Sequence, residues 1–410
     1  MELENKNQVQ VSNADQQNGG TNFFKTCFNV LNTLIGIGIL SMPYAVYQGG
    51  WLSFLLLIIF GMICCYTALL LDRCMNANPG IKSYGDLGEA AFGYKGRATL
   101  AIFIYIELFL VAVELLILEG DNLEKLYPNM IFTIFGLRIG GKSGFVILTA
   151  FAILPTTWLR NYGVLAYVSI GGVFTCVILI GCVVWVGEVD GVGFHQRGVL
   201  LNLGGLSTSM SLFAFCYNAH ALIPTIRNSM TDTKLFSKVL VVCFGASAII
   251  YGTIAVLGYM MFGDKLKSQI TLNLPTNTIS TKIAIYSTII NPFTKYAIII
   301  SPITIAIEEK WHVCMTRPIS IVVRTSIVAS SVLVALYIPF FAYIMAFMGA
   351  FLSVAISLLF PCLCYLKINK GAKRFGLEMM IIMGILIIGT LIGIFGTYIS
   401  VQKIVNQMKH

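Results

Sequence analysis

Apolar residues run through this chain in stretches of about twenty, separated by short segments rich in Lys, Arg, Asn and Gly. As an α-helix, such a stretch spans a hydrocarbon layer of roughly 30 Å. The pattern predicts eleven spans, at residues 23–47, 51–72, 98–119, 143–159, 162–187, 203–226, 238–262, 282–307, 318–337, 340–366 and 377–402. Only the turn "RNY" (160–162) divides the fourth from the fifth, and only "YIPF" (337–340) the ninth from the tenth. Residues 1–21 are polar and low in aromatics, which predicts a disordered tail and no cleaved signal peptide. Residues 22–410 are expected to form one transmembrane domain.

The first span departs from the pattern of a plain anchor. "LNTLIGIGILSMPYAV" (31–46) carries Gly36, Gly38, Ser41 and Pro43, residues that let a backbone leave the helix or cannot donate to its ladder. Inside a bilayer an unpaired amide or carbonyl costs several kcal/mol, so unwound backbone persists only where protein or a water-filled cavity satisfies it. Taken alone, "GIG" reads more readily as close packing of two helices. The sixth span shows an interruption of its own, in "FAFCYNAHALIPTI" (213–226), where Cys216, Tyr217, Asn218 and His220 precede Pro224. Matching interruptions at the heads of two groups of five spans point to an inverted repeat with a site near the bilayer midplane. Repeat one is expected at about 23–187, repeat two at about 203–366 and an additional helix at about 377–402. At such a site, freed amides of Gly36, Ile37 and Gly38 suit a carboxylate. Freed carbonyls around Asn32, Thr33, Phe215 and Cys216, beside Asn218, suit an ammonium or a small cation. A zwitterionic amino acid satisfies both ends.

Composition narrows the class. The chain is 57% hydrophobic and only 11% charged, with a mean hydropathy of +0.83, whereas soluble domains carry roughly a quarter charged residues. Lys and Arg number sixteen in the segments expected inside and nine in those expected outside. That bias favours a cytosolic N-terminus, and eleven spans then place the C-terminus on the far side. The net charge of +9 is read as this topology signal, with no nucleic-acid partner. None of the 11 cysteines falls in an expected outer loop, so no disulfide framework is expected, and "CC" (64–65) and "CLC" (362–364) read as packing residues and not as metal ligands. No H-E-x-x-H, G-x-S-x-G elbow or P-loop occurs, and "RIGGKSG" (138–144) has the wrong glycine spacing for a phosphate loop. An enzyme is not expected.

"FFKTCFNVLNTLIGIGILSMPYAVYQGGW" (23–51) closely resembles the first helix of the amino acid/auxin permease family and, within it, of the plant vacuolar amino acid transporters. The resemblance continues through "VELLILEGDNL" (113–123), "FCYNAHALIPTIRNSM" (215–230), "INPFTKYA" (290–297) and "GAFLSVAISLLFPCLCYLK" (349–367). It implies an all-α fold like that of the bacterial leucine transporter, with helices 1 and 6 discontinuous. It also implies proton-coupled secondary transport of amino acids in a vacuolar or other membrane, with no cofactor beyond the coupling proton. Two departures stand beside the presumed site: Val30, where the family commonly has glycine, and Asn218-Ala219, where Ser-Gly is usual.

Charges at membrane depth are the remaining candidates. Lys295 lies midway along the eighth span, with Asn291 and Thr294 on the preceding turn. Its ammonium either caps broken-helix carbonyls or stands where sodium-coupled relatives of this fold hold a cation, which favours proton coupling. Glu107, Glu114 and Asp121 are spaced seven apart and share one helix stripe, with Glu114 the preferred proton-handling group. His220 is the one histidine within a span and is read either as a proton carrier or as a neutral tie to a neighbouring helix. Arg324, a turn or two inside its span, is expected to snorkel to the inner face. The shortage of fixed charge near the first and sixth spans favours neutral or small amino acids. An amino-acid sensor, passive exchanger or channel using the same site is the alternative.

Overall fold

The computed structural model describes residues 20–134, 137–158, 165–310, 317–369 and 376–409. The expected tail over 1–19 and the turn at 160–162 lie outside them. The first span is interrupted as its sequence suggests: α1 (Phe23–Leu34) ends, a 3-10 turn follows at Ile37–Ser41, and α2 (Met42–Gly49) continues at 48° to α1. Then come α3 (Ser53–Ala77) and α4 (Tyr84–Leu126). The segment read as an outer loop folds as an antiparallel hairpin, β1 (Ile131–Ile134) and β2 (Leu137–Gly140), ahead of α5 (Gly141–Thr157).

After α6 (Leu165–Glu188), the second interruption divides α7 (Leu203–Cys216) from α8 (Ile223–Asn228), with a 3-10 turn at His220–Leu222 between them. Long helices follow: α9 (Phe236–Phe262), α10 (Ile279–Lys310) and α11 (Arg317–Tyr337). The next crossing runs from α12 (Phe341–Met348) through two π-helical turns, Gly349–Ser353 and Ala355–Leu359, into α13 (Phe360–Ile368). The final helix is α14 (Leu377–Met408).

Among the described residues eight helices are long and apolar enough to cross a bilayer, and α1 with α2 makes a ninth, bent span. Apolar side chains cover their outer faces, as hydrocarbon requires: Phe174, Ile249, Leu333 and Ile394 are all more than 60% exposed. The core is apolar as well, so what fixes one arrangement is close packing and a few buried polar ties. Both interruptions restart on a proline, Pro43 in α2 and Pro224 in α8, where the missing amide would have had no helical partner anyway.

Polar ties hold α8 and α9 to α3. Arg227 of α8 donates to Asp72 Oδ1 at 2.6 Å and to Asn76 Oδ1 at 2.5 Å, while Ser237 Oγ donates to Asp72 Oδ2 at 2.6 Å. Thr21, assigned to the tail from sequence, instead pairs with the end of α8: its amide donates to Ser229 O at 2.8 Å, and Thr231 N donates back at 3.0 Å. Arg324 does not snorkel. It is buried, donates to Thr157 O at 2.7 Å and lies 3.7 Å from Glu308, because the carbonyls at the end of α5 need donors from outside the helix. The expected third span, 98–119, is the central part of α4, which begins at a Ser83/Asp86 capping box and turns at Gly93, whose φ of 68° only glycine adopts readily.

Candidate functional site

The two interruptions meet. A methyl group on Gly38 would press into the Cys216 thiol, so the glycine is what lets the 3-10 turn of the first span lie directly on the end of α7. The first amides of that turn, those of Ile37 and Gly38, have no carbonyl within it to bond. Gly36 differs from expectation: its amide donates to Leu34 O at 2.8 Å, which closes the end of α1 and leaves the next two amides as the free pair. A side chain on Gly36 would meet nothing within 4 Å. It faces a cavity of about 20 Å³ lined by Gly36, Ile37, Ile39, Leu40, Leu118, Thr175, Cys176, Leu179 and Thr288. That is room for a water and not for an amino acid.

The carbonyls bonded across the crossing are Leu34 and Cys216. The sequence pointed to Asn32, Thr33, Phe215 and Cys216; Thr33 Oγ1 turns back to Asn29 O at 2.9 Å, and Phe215 O accepts from Asn218 N at 3.2 Å. Tyr251 of α9 holds both breaks, its hydroxyl donating to Leu34 O and lying 3.0 Å from Cys216 O. No motif marks Tyr251, since its partners stand 217 and 35 residues away. Replacing Tyr251 with Phe leaves Leu34 O with only the Gly36 amide and takes the hydroxyl from the buried Cys216 O, which costs about 1–3 kcal/mol. The expected result is a lowered melting temperature in detergent together with reduced uptake, against a wild-type control.

Lys295 enters from α10. Gly172 of α6 makes room for it: a methyl there would stand 3.4 Å from Lys295 Nζ and would overlap Asn32 Oδ1. Asn32 Oδ1 is buried, with no hydrogen-bond partner among the described residues. Cys176, one turn along α6 from Gly172, places its thiol 4.0 Å from Ile35 O. Lys295 therefore lies close to Asn32, near the broken end of α1. Gly172 and Cys176, which line its other side, could not be foreseen from an unbroken apolar run. Among the described residues no carboxylate pairs with Lys295. Asn291 and Thr294 belong to α10, but their side chains lie outside the described residues.

The α4 carboxyls divide by environment. Glu114 is fully buried, and neither of its oxygens has a partner among the described residues; Glu119, which the stripe argument missed, is in the same state. Glu107 is bonded instead, accepting from Asn218 Nδ2 at 2.5 Å and from Ser353 Oγ at 2.8 Å. Asp121, near the C-terminal end of α4, is paired with Lys142 and accepts from Gln269 Nε2 at 3.0 Å. His220 lies with Nε2 3.1 Å from Cys64 O and 2.9 Å from Thr67 Oγ1, while Thr67 spends its own proton on Cys64 O at 3.0 Å. A carbonyl can accept but never donate, so Nε2 carries the ring proton and the imidazole ties the second break to α3.

These features define an integral, polytopic, all-helical membrane protein whose two interrupted spans face each other. A crystal structure of MhsT in complex with L-phenylalanine has this architecture: it matches 92% of the present chain and 98% of its own with a TM-score of 0.54, at 12% identity. The fold is LeuT-like. The chain belongs to the amino acid/auxin permease family, whose description, transmembrane amino acid transporter protein, matches residues 19–402. Amino acid transporter AVT1I of Arabidopsis thaliana is 45% identical over 392 residues, covering 95% of this chain and 97% of its own. Amino acid transporter AVT1H of the same plant is 34% identical over 415 residues, covering 99% and 96%. Relatives of this kind are transporters, and the chain is not an enzyme.

Proposed function

We propose that this protein is a proton-coupled carrier of neutral or small amino acids, working by alternating access at the crossing of the two breaks. The observation that carries the reading is the contact of Gly38 with Cys216, which brings two free amides and two break-end carbonyls to one buried point. In this reading the chain crosses the membrane eleven times, as two inverted groups of five and one more helix, with α1/α2 and α7/α8 the discontinuous pairs. The amides of Ile37 and Gly38 take the substrate carboxylate. Its ammonium goes to the opposing edge, where Asn32, Phe215, Cys216 and Asn218 stand.

Five aliphatic side chains line the cavity beside Gly36 and none in that lining is charged, which supports a neutral substrate. The cavity is too small for an amino acid as it stands, so α6 has to part from the first break on binding, which is the motion alternating access requires. Lys295, which Asn291 and Thr294 precede on α10, and Glu114 at the crossing are charged groups available for coupling. His220 serves as the tie between α3 and the second break. The AVT names of the relatives support the vacuolar membrane as the location, with the N-terminus cytosolic and the C-terminus lumenal.

Binding is tested without transport by thermal unfolding of purified protein against a panel of amino acids. A ligand at a hundred times its dissociation constant stabilises the folded state by about 2.7 kcal/mol. Neutral amino acids are expected to raise the melting temperature and lysine or arginine to leave it unchanged. Stabilisation by the basic amino acids alone contradicts the proposed substrate class.

A further inference from the structure

Glu107 differs from the other carboxyls of α4 in what it touches. Its Oε1 accepts one bond from Asn218, in the gap between α7 and α8, and one from Ser353, in the first π-helical turn after α12. Both partners lie on elements that a moving second break would displace. The π-helical stretch is itself pressed against α7, since a methyl on Gly349 would overlap the Ser211 carbonyl. Tyr84, at the start of α4, donates to Ile356 O in the second π turn, so α4 grips this stretch at two levels. Turns of π-helix inside membrane helices recur at functional positions because their backbone bonds are easily rearranged.

A carboxyl so placed reads its own proton. Ionised, Glu107 accepts two charge-assisted bonds, roughly twice as strong as neutral ones. Protonated, it holds Asn218 and Ser353 more weakly, and the break is released from the π turn. Gain or loss of a proton at Glu114 or Glu119 changes no such bond, because their oxygens have no partners among the described residues. Other ionisable groups around Glu107 are already committed. His220 Nε2 faces Cys64 O, the Tyr84 hydroxyl faces Ile356 O, and Arg324 faces Thr157 O and Glu308. Lys295 lies against Gly172, the thiols of Cys64, Cys362 and Cys364 are buried, and Glu107 has no basic partner among the described residues.

We infer that Glu107 is the positioning residue through which a bound proton loosens the second break from the π-helical turn, so that its protonation gates the carrier's change of access. This rests on the proton-coupled reading above. The proton comes from water on one side of the membrane and returns to water on the other, and no other bond is made or broken.

The test compares wild type, Glu107→Gln and Ser353→Ala in proteoliposomes, measuring amino acid exchange as a function of pH and accumulation under an imposed pH gradient. Glu107→Gln keeps the shape and one acceptor oxygen but cannot titrate. Accumulation is expected to fall at least about tenfold, the scale of one lost charge-assisted bond. Exchange is expected to persist and to lose its pH dependence. Wild-type accumulation with an unchanged pH profile would make Glu107 a plain structural tie and overturn the inference. Should Glu107→Gln not fold, Ser353→Ala decides: it keeps the carboxyl and removes one donor to its ionised form. Exchange half-maximal at a pH higher by on the order of half a unit supports the gate, and an unmoved midpoint overturns it. If wild type itself neither accumulates under a pH gradient nor responds to pH, the proton-coupled reading fails and this assignment falls with it.

Discussion

Gly36→Val is expected to abolish amino acid uptake while leaving a folded protein in the membrane. The two halves of that result have separate causes. A Cβ at this position meets no atom within 4 Å, so the first added atom clashes with nothing in the arrangement described and the variant is expected to fold. It does project into the small cavity beside the free amides of Ile37 and Gly38, where the substrate head group has to approach the backbone. Overpacking a fitted site costs about 1–3 kcal/mol, or roughly ten- to a hundredfold in affinity. Gly38→Val makes a useful contrast, because its Cβ would collide with Cys216 and the fold itself suffers. Uptake at the wild-type rate by correctly inserted Gly36→Val would remove the crossing as the substrate site.

The second large effect is expected at Lys295. Methionine there preserves the length and apolar stem but removes the charge beside Asn32 and Gly172. Among the described residues Lys295 has no carboxylate partner, a costly state at membrane depth, and in the proposed reading its place at the broken end of α1 gives it a use: a fixed cation where a mobile one would otherwise couple. Lys295→Met is predicted to exchange substrate across the membrane yet lose accumulation under a pH gradient. Exchange and accumulation measured on the same vesicles separate this from simple misfolding, which lowers both. Unimpaired accumulation would leave Lys295 a structural cap.

Much of this architecture could be read from residue order. Apolar run length located the helices, and Gly36, Gly38 and the "YNAHALIP" stretch located both interruptions, because helix breakers inside lipid are informative wherever they occur. The depth of Lys295 followed from its distance to either end of its span. What stayed illegible are contacts between chain segments far apart. Tyr251 looks like any aromatic in an apolar helix until its hydroxyl is found on Leu34 O and Cys216 O. Gly172 looks like a packing glycine until Asn32 and Lys295 are found against it. Glu107 was placed on the correct stripe, but which of the α4 carboxyls would be bonded and which left alone depended on Ser353, 246 residues away. For Arg324 the ordinary behaviour of an arginine near a helix end suggests snorkelling, but the end of α5, far away in sequence, lies within its reach.

The most direct test of proton-coupled amino acid transport is uptake of labelled neutral amino acids into proteoliposomes, with a pH gradient and a sodium gradient imposed in separate experiments. The proposal predicts accumulation that follows the pH gradient, collapses when a protonophore is added and ignores sodium. Accumulation driven by sodium, or amino acid binding that neither gradient converts into accumulation, would contradict it.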